Sequence, residues 1–198
     1  METAFSLFLY KGYAASVSEI VDKAGVSKGA LYHYFNNKED LFESTIQKYF
    51  LNSKKDYGFV YLKDIDIISK IRKIIYTYFS SFLNENGQNR FSPDMQSNLF
   101  HIIAEYTDKP KIREVFFEDY NRLVQAFNDM LANYHPAQNF KISRIEMAEL
   151  SAKLTKGHMI DLIFDTTDDI KTNIEKLTNL VYTIIRSFLT NVEPQTLY

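Results

Sequence analysis

The sequence predicts an all-α fold, with about nine helices. Three observations carry the prediction. Apolar residues recur at steps of three and four along most of the 198 residues. Only 6 Gly and 4 Pro are present, too few for a chain of many short strands and turns. No stretch alternates apolar and polar residues as a half-buried strand does, and no internal repeat recurs at a fixed period.

The first fifty residues hold short, sharply punctuated helices. Gly12 ends the first. Ser16 and Glu19 form an S-x-x-E capping box that opens the second, and Gly25 ends it. Ser27 caps the third, and Asn37 caps the fourth, with Glu39 and Asp40 where the helix dipole favours negative charge. Leu7, Phe8, Ile20, Ala24, Val26, Leu31 and Phe35 are the expected core of the first three helices. The fourth, from Lys38 to about Lys54, adds Leu41, Phe42, Ile46 and Tyr49 and is expected to link two domains. The best boundary is Asn52 to Asp66, which mixes charge and Gly58 without a clear period.

Longer helices follow. Ile65, Ile68, Ile71, Ile75, Tyr78, Phe79, Phe82 and Leu83 paint one apolar stripe, ended by Gly87. Ser92-Pro93 starts the next helix, with Leu99, Ile102, Ile103 and Tyr106. Asp108 to Tyr134 reads as one long helix, burying Ile112, Val115, Phe116, Leu123, Phe127 and Leu131 before Pro136 stops it. Ser143 and Glu146 form a second capping box, opening a helix to about Asp165. Ile174, Leu177, Val181, Ile184, Ile185 and Phe188 mark the last.

Composition narrows the function classes. Cysteine is absent, which excludes disulfides, thiolate metal sites and cysteine nucleophiles. Hydrophobic residues make up 45% and the net charge is only -2, so the chain folds rather than staying disordered. No run approaches the roughly 18 apolar residues of a membrane span. Met1 to Tyr13 lacks the basic and small-residue parts of a signal peptide, so a cytoplasmic protein with no membrane partner is expected. Residues 1–55 hold 7 Lys+Arg against 6 Asp+Glu, so bulk charge does not announce a nucleic-acid binder.

Any such case rests on local arrangement, and a Gly-Val-Ser turn taken alone is more often a plain corner between helices. Gly25-Val26-Ser27 between two helices is the helix-turn-helix layout, with Gly turning the chain and Val26 expected to plug the corner. On the following helix Leu31, Tyr34 and Phe35 share one side. Lys28, Gly29, Tyr32 and His33 share the other, offering a cation, a small residue, a phenol and an imidazole to a groove. Tyr34 fits either the core or a contact, and His33 either solvent or a phosphate oxygen.

Ala4-x-x-Leu7-Phe8-x-x-x-Gly12-Tyr13, Ser16-Val17-Ser18-Glu19-Ile20, Ala24-Gly25-Val26-Ser27-Lys28-Gly29-Ala30-Leu31-Tyr32-His33-Tyr34-Phe35 and Asn37-Lys38-Glu39-Asp40-Leu41-Phe42 stand in register over four helix boundaries. This string resembles the tetracycline-repressor (TetR) family over about residues 4–46. The resemblance implies a helix-turn-helix DNA-binding domain at residues 1–46, its motif at about 16–35. A larger effector-binding and dimerisation domain follows at 47–198. It also implies a homodimeric, ligand-responsive repressor, released from a palindromic double-stranded operator by a small apolar or aromatic effector. Base contacts fall on Ser18, Lys28, Gly29 and Ala30, and phosphate contacts on Val17 (through its N–H), Tyr32, His33, Tyr34 and Lys38. Gly12 to Ile20 is one residue shorter than is usual in the family and lacks its common threonine. The first helix starts almost at Met1, without a basic lead-in; either phosphate contacts are missing and the expected DNA affinity is lower, or the true start lies upstream.

The aromatic middle helices suit either ordinary core or an effector pocket. Tyr78, Phe82, Phe100, Phe116, Tyr120 and Phe127 would form its walls, with His101 and Glu105 as polar tips. Such a pocket suits a flat or amphipathic ligand, including a cation. By resemblance the last two helices form the dimer interface, with Gly157, Met159, Ile160, Ile163, Leu180, Val181, Ile184 and Phe188; the same stripes also suit packing within one chain. His101 with Glu105 and His158 with Asp161 have metal-pair spacing, but two-residue pairs are common by chance, so neither a metal nor a cofactor is expected. No phosphate loop, nucleophile elbow or paired-carboxylate motif supports an enzyme. The other reading of the chain is a helical interaction or small-molecule-carrier protein that does not bind an operator.

Overall fold

The computed structural model describes residues 1–51, 55–80, 83, 109–134, 141–164 and 170–189. Eight α-helices and no strand segment occur among them. The helix expected at Leu99 to Tyr106, its Ser92-Pro93 start, Gly87 and Pro136 lie outside the described residues. The chain divides into two compact units, Met1–Lys54 with Asn89–Asp119, and Lys55–Gln88 with Tyr120–Tyr198.

The first unit holds α1 (Glu2–Lys11), α2 (Val17–Ala24), α3 (Lys28–Tyr34) and α4 (Lys38–Ile46). Gly12 ends α1 with φ 60, a backbone state that costs glycine little. α1 buries Ala4, Phe5, Leu7, Phe8 and Leu9, because α2 and α4 both pack on it. Phe8 meets Phe42 of α4 edge-on, ring centroids 4.9 Å apart. Phe5, absent from the expected core, is buried and stacks on Tyr49 at 5.1 Å. The α-helical part of α4 ends at Ile46 and a π turn over Gln47–Leu51 follows, while the expected limit at Lys54 lies outside the described residues.

Three other expectations are corrected. Ala24 is exposed, and so is Val26, at 46%. α2 turns Ile20 and Val21 inward, and Ala24 and Val26 stand past its buried stretch. There Gly25 at φ 66 redirects the chain. The Gly25 N–H bonds the Asp22 carbonyl (3.3 Å) and the Val26 N–H the Val21 carbonyl (3.1 Å), a Schellman closure that needs no apolar plug. Tyr34 does not share the buried side of Leu31. It is 78% exposed, because the seven-residue α3 ends there and Phe35 is already extended.

The second unit is built on α5 (Ile67–Phe79), α6 (Pro110–Tyr134, from Tyr120 onward), α7 (Arg144–Phe164) and α8 (Ile170–Phe188). The Asp66 carboxylate caps α5 by accepting the Ser69 N–H at 3.0 Å. The α5 stripe centres on Ile67, Ile71, Ile74, Ile75, Tyr78 and Phe79, while Ile65 and Ile68 are only half-buried. It packs with Leu123, Phe127, Met130 and Leu131 of α6, Met147, Ala148 and Ala152 of α7, and Ile174, Leu177, Val181 and Ile185 of α8. Ser143 and Glu146 form the expected box at α7. The Ser143 N–H donates to the Glu146 carboxylate at 2.8 Å, and the Glu146 N–H to the Ser143 hydroxyl at 3.3 Å. The buried hydroxyls of Ser151, Thr155 and Thr178 each donate to the carbonyl four residues earlier, at 2.9, 2.8 and 2.7 Å. No helix among the described residues is long and apolar enough to cross a membrane.

Candidate nucleic-acid interface

The interface begins at the entrance to α2. The Ser16 hydroxyl accepts the Glu19 N–H at 3.2 Å, and the Glu19 carboxylate accepts the Ser16 N–H at 3.0 Å. Lys11 also pairs with Glu19. The Lys11 ammonium, reinforced by the Ser16 N–H, lowers the Glu19 carboxyl from its ordinary 4.5 to about 2. Val17, the first residue of α2, is half-buried, and its N–H belongs to the helix end that lacks intrahelical partners. Ser18 beside it is exposed.

α3 starts at Ser27, whose hydroxyl accepts the Ala30 N–H at 3.1 Å. Leu31 is its one buried side chain. Lys28, Gly29, Ala30, Tyr32, His33 and Tyr34 are all exposed, so the helix is anchored by one leucine and offers the rest of its surface to a partner. Among the described residues Gly29 has no structural cause. Its φ is ordinary for an L residue, and a Cβ there would meet only the Ser27 hydroxyl, at 3.8 Å.

The turn into α4 is held firmly. The Asn37 side chain accepts the Asp40 N–H at 2.8 Å, and the Asp40 carboxylate accepts the main-chain and side-chain N–H groups of Asn36, both at 2.9 Å. Lys38 is half-buried. Its ammonium donates to the Tyr13 carbonyl and lies 4.0 Å from the Tyr13 ring centroid. Glu39 pairs with Lys109, which raises the Lys109 ammonium above its usual range. Sequence reading missed these three tethers, Lys11 to Glu19, Lys38 to Tyr13 and Lys109 to Glu39. The first leaves a trace, since a cation at the end of one helix precedes a capping carboxylate across a short turn. The other two join residues 25 and 70 positions apart and leave none.

The expected pocket and dimer residues are placed as follows. Tyr78 and Phe127 are buried in the core of the second unit, and Tyr120 packs against that core half-buried. Phe116 is half-buried in the first unit. Phe82, Phe100, His101 and Glu105 lie outside the described residues. Gly157 is exposed, and so is Leu180, at 47%. Val181 is fully buried in its own chain's core, against which Ile184 and Phe188 pack half-buried. The side chains of Met159, Ile160, Asp161 and Ile163 lie outside the described set. No group of three or more potential metal ligands occurs among the described residues.

Comparison with known proteins agrees with this geometry. The family model for bacterial regulatory proteins of the tetR family matches residues 1–45. An uncharacterized HTH-type transcriptional regulator of Bacillus subtilis, YuxN, is 47% identical over 51 residues. The match spans 25% of this chain and 18% of YuxN. IcaR of Staphylococcus aureus, the HTH-type negative transcriptional regulator of the biofilm operon icaADBC, is 24% identical over 145 residues, or 64% of this chain and 77% of IcaR. A TetR-family regulator from Streptomyces coelicolor shares the fold with a TM-score of 0.66 at 16% identity, over 94% of this chain and 92% of that one. A Saccharomonospora viridis regulator in complex with choline does so with a TM-score of 0.67 at 14% identity, over 96% and 95%. Regulators of this family are DNA-binding proteins and not enzymes. Residues 1–45, which hold the helix-turn-helix at 17–34, thus match the tetR-family model, and the all-helical fold is shared with TetR-family regulators.

Proposed function

We propose that the chain is a cytoplasmic, homodimeric repressor that leaves a palindromic operator when a small molecule binds. The observation that carries the DNA-binding part is α3. A helix held by one buried leucine exposes Lys28, Gly29, Ala30, Tyr32 and His33. Its Gly29 is explained by close approach of an outside surface, since among the described residues nothing needs it. Lys28 at the helix start suits guanine O6 and N7. Ser18, Gly29 and Ala30 approach base edges, and Tyr32, His33, Tyr34, Lys38 and the Val17 N–H meet phosphates. Repression is supported by the name of IcaR, a negative regulator. Response to a small organic ligand is supported by the choline complex of the Saccharomonospora viridis protein, and by the aromatic inventory of Tyr78, Tyr120 and Phe127 in the second unit. The effector acts by favouring a state whose two recognition helices no longer match successive major grooves. The second domain, residues 47–198, supplies the dimer contact through its last two helices, where Gly157 and Leu180 are open.

Two substitutions test the division of roles. Lys28→Ala relaxes base preference at one position of each half-site, at a cost of about 1–3 kcal/mol for the preferred sequence. Lys38→Ala weakens all sequences alike and lowers the salt slope by about 1. Fluorescence anisotropy on specific and random duplexes across salt reads both. Identical behaviour of the two variants contradicts the assignment. Effectors raise Tm, by an equivalent of about 2.7 kcal/mol at a hundred times Kd. No stabilisation by any aromatic, apolar or quaternary-ammonium compound contradicts ligand response.

A further inference from the structure

We propose that Tyr13 is a positioning residue for DNA binding, seating the Lys38 ammonium so that it meets a phosphate at a fixed place. The proposal rests on the DNA-binding reading of the first unit. The Lys38 ammonium lies 4.0 Å from the Tyr13 ring centroid and donates to the Tyr13 carbonyl, so one residue holds it by ring and main chain together. The seat is itself anchored. The Tyr13 ring meets Phe42 edge-on at 5.7 Å and stacks on Phe8 at 6.5 Å, and both phenylalanines are fully buried. The other end of the lysine is fixed as well, because the Asn37 cap and the Asp40 bonds to Asn36 set the first turn of α4.

A lysine free in solvent loses rotamer entropy when a phosphate immobilises it. A seated lysine has lost most of that before the duplex arrives. An ammonium has three N–H donors, and Tyr13 takes one, leaving two for phosphate oxygens. The neighbouring carboxylate of Glu39 is paired with Lys109, which leaves Lys38 on its aromatic seat. Half-burial of Lys38 leaves part of the side chain open to a partner.

The test separates the ring's charge distribution from its bulk. Phenylalanine at position 13 keeps the ring's negative face, and pentafluorophenylalanine keeps its shape while reversing that face. The probe is a duplex enriched from a randomised library by the full chain. Tyr13→Phe binds it as the unaltered chain does. The fluorinated variant binds about threefold to tenfold more weakly, and in a Lys38→Ala background it costs nothing further. Equal binding by the two ring variants, or equal losses in both backgrounds, overturns the proposal, because Tyr13 then acts only through the core. A second measurement needs no DNA. The Tyr13 ring current shifts the Lys38 ε-methylene protons upfield in the free protein, and Tyr13→Leu removes the shift. Absence of that shift in the unaltered chain overturns the seat itself. Failure of the unaltered chain to bind any duplex, with the shift present, refutes the DNA reading and with it the role of the seat.

Discussion

Under the proposed function, Gly29 is explained by an outside partner. It sits in the first turn of α3, where alanine fits without strain and a Cβ has only an ordinary contact at 3.8 Å. Gly29→Ala is therefore expected to stabilise the free chain by about 0.4–1 kcal/mol. The same methyl intrudes where a base edge approaches, so duplex affinity falls while stability rises. Denaturant melts and anisotropy on one preparation check both signs; a variant that gains stability and keeps full affinity contradicts a close DNA approach at Gly29. Residue-scale exposure was the least legible feature of the sequence. Helical phase places Tyr34 with Leu31, yet a seven-residue helix ends before the phase takes effect. Apolar character points to Val26 as the plug of the corner, but the main-chain bonds after Gly25 close it instead. The Lys38 seat depends on a tyrosine 25 positions away, beyond the reach of any local pattern.

At the scale of elements the sequence was most legible, because helix ends are chosen by local chemistry. Ser16 with Glu19, Ser27, Asn37 and Ser143 with Glu146 all cap the helices they precede, and Gly12 and Gly25 end theirs, while the Asp66 cap of α5 falls in a segment that reads only as a boundary. The limits of α4 were less legible, since a π turn carries no signature in apolar spacing. The capping box of α2 makes a pH prediction. Lys11 and the Ser16 N–H hold Glu19 at about 2, below its ordinary 4.5. The stabilisation it contributes is fully present above pH 4.5 and is lost as pH falls toward 2. Carboxyl-detected NMR titration checks the site directly. Lys11→Ala moves the Glu19 midpoint up toward 4.5, and an unaltered chain in which Glu19 already titrates there contradicts the tether. Asp66 and Glu146, lowered by hydrogen bonds from Ser69 and Ser143, add acid sensitivity of the same sign in the second unit.

At the scale of the whole molecule, the chain pairs a unit built to present one short helix with a unit built around an aliphatic and aromatic core. Under the proposed function the first needs a second copy to read two half-sites, because one α3 covers only one segment of major groove. Sedimentation at micromolar concentration is expected to give twice the monomer mass, and a monomer contradicts the homodimer. The all-helical layout of the second unit was legible from its periodicity. The partner of each stripe was not, since Val181 turns into its own chain while its neighbour Leu180 stays open.

The central claim, that this chain reads DNA as a symmetric dimer, is tested most directly by selection of a randomised duplex library on the purified full chain, with affinity for the enriched sequence then followed against salt. The expected result is a palindrome with half-site centres about 34–36 Å apart, or a multiple of that, and an affinity that falls steeply as salt rises. A folded chain that enriches no sequence, or binds with no dependence on salt, contradicts it.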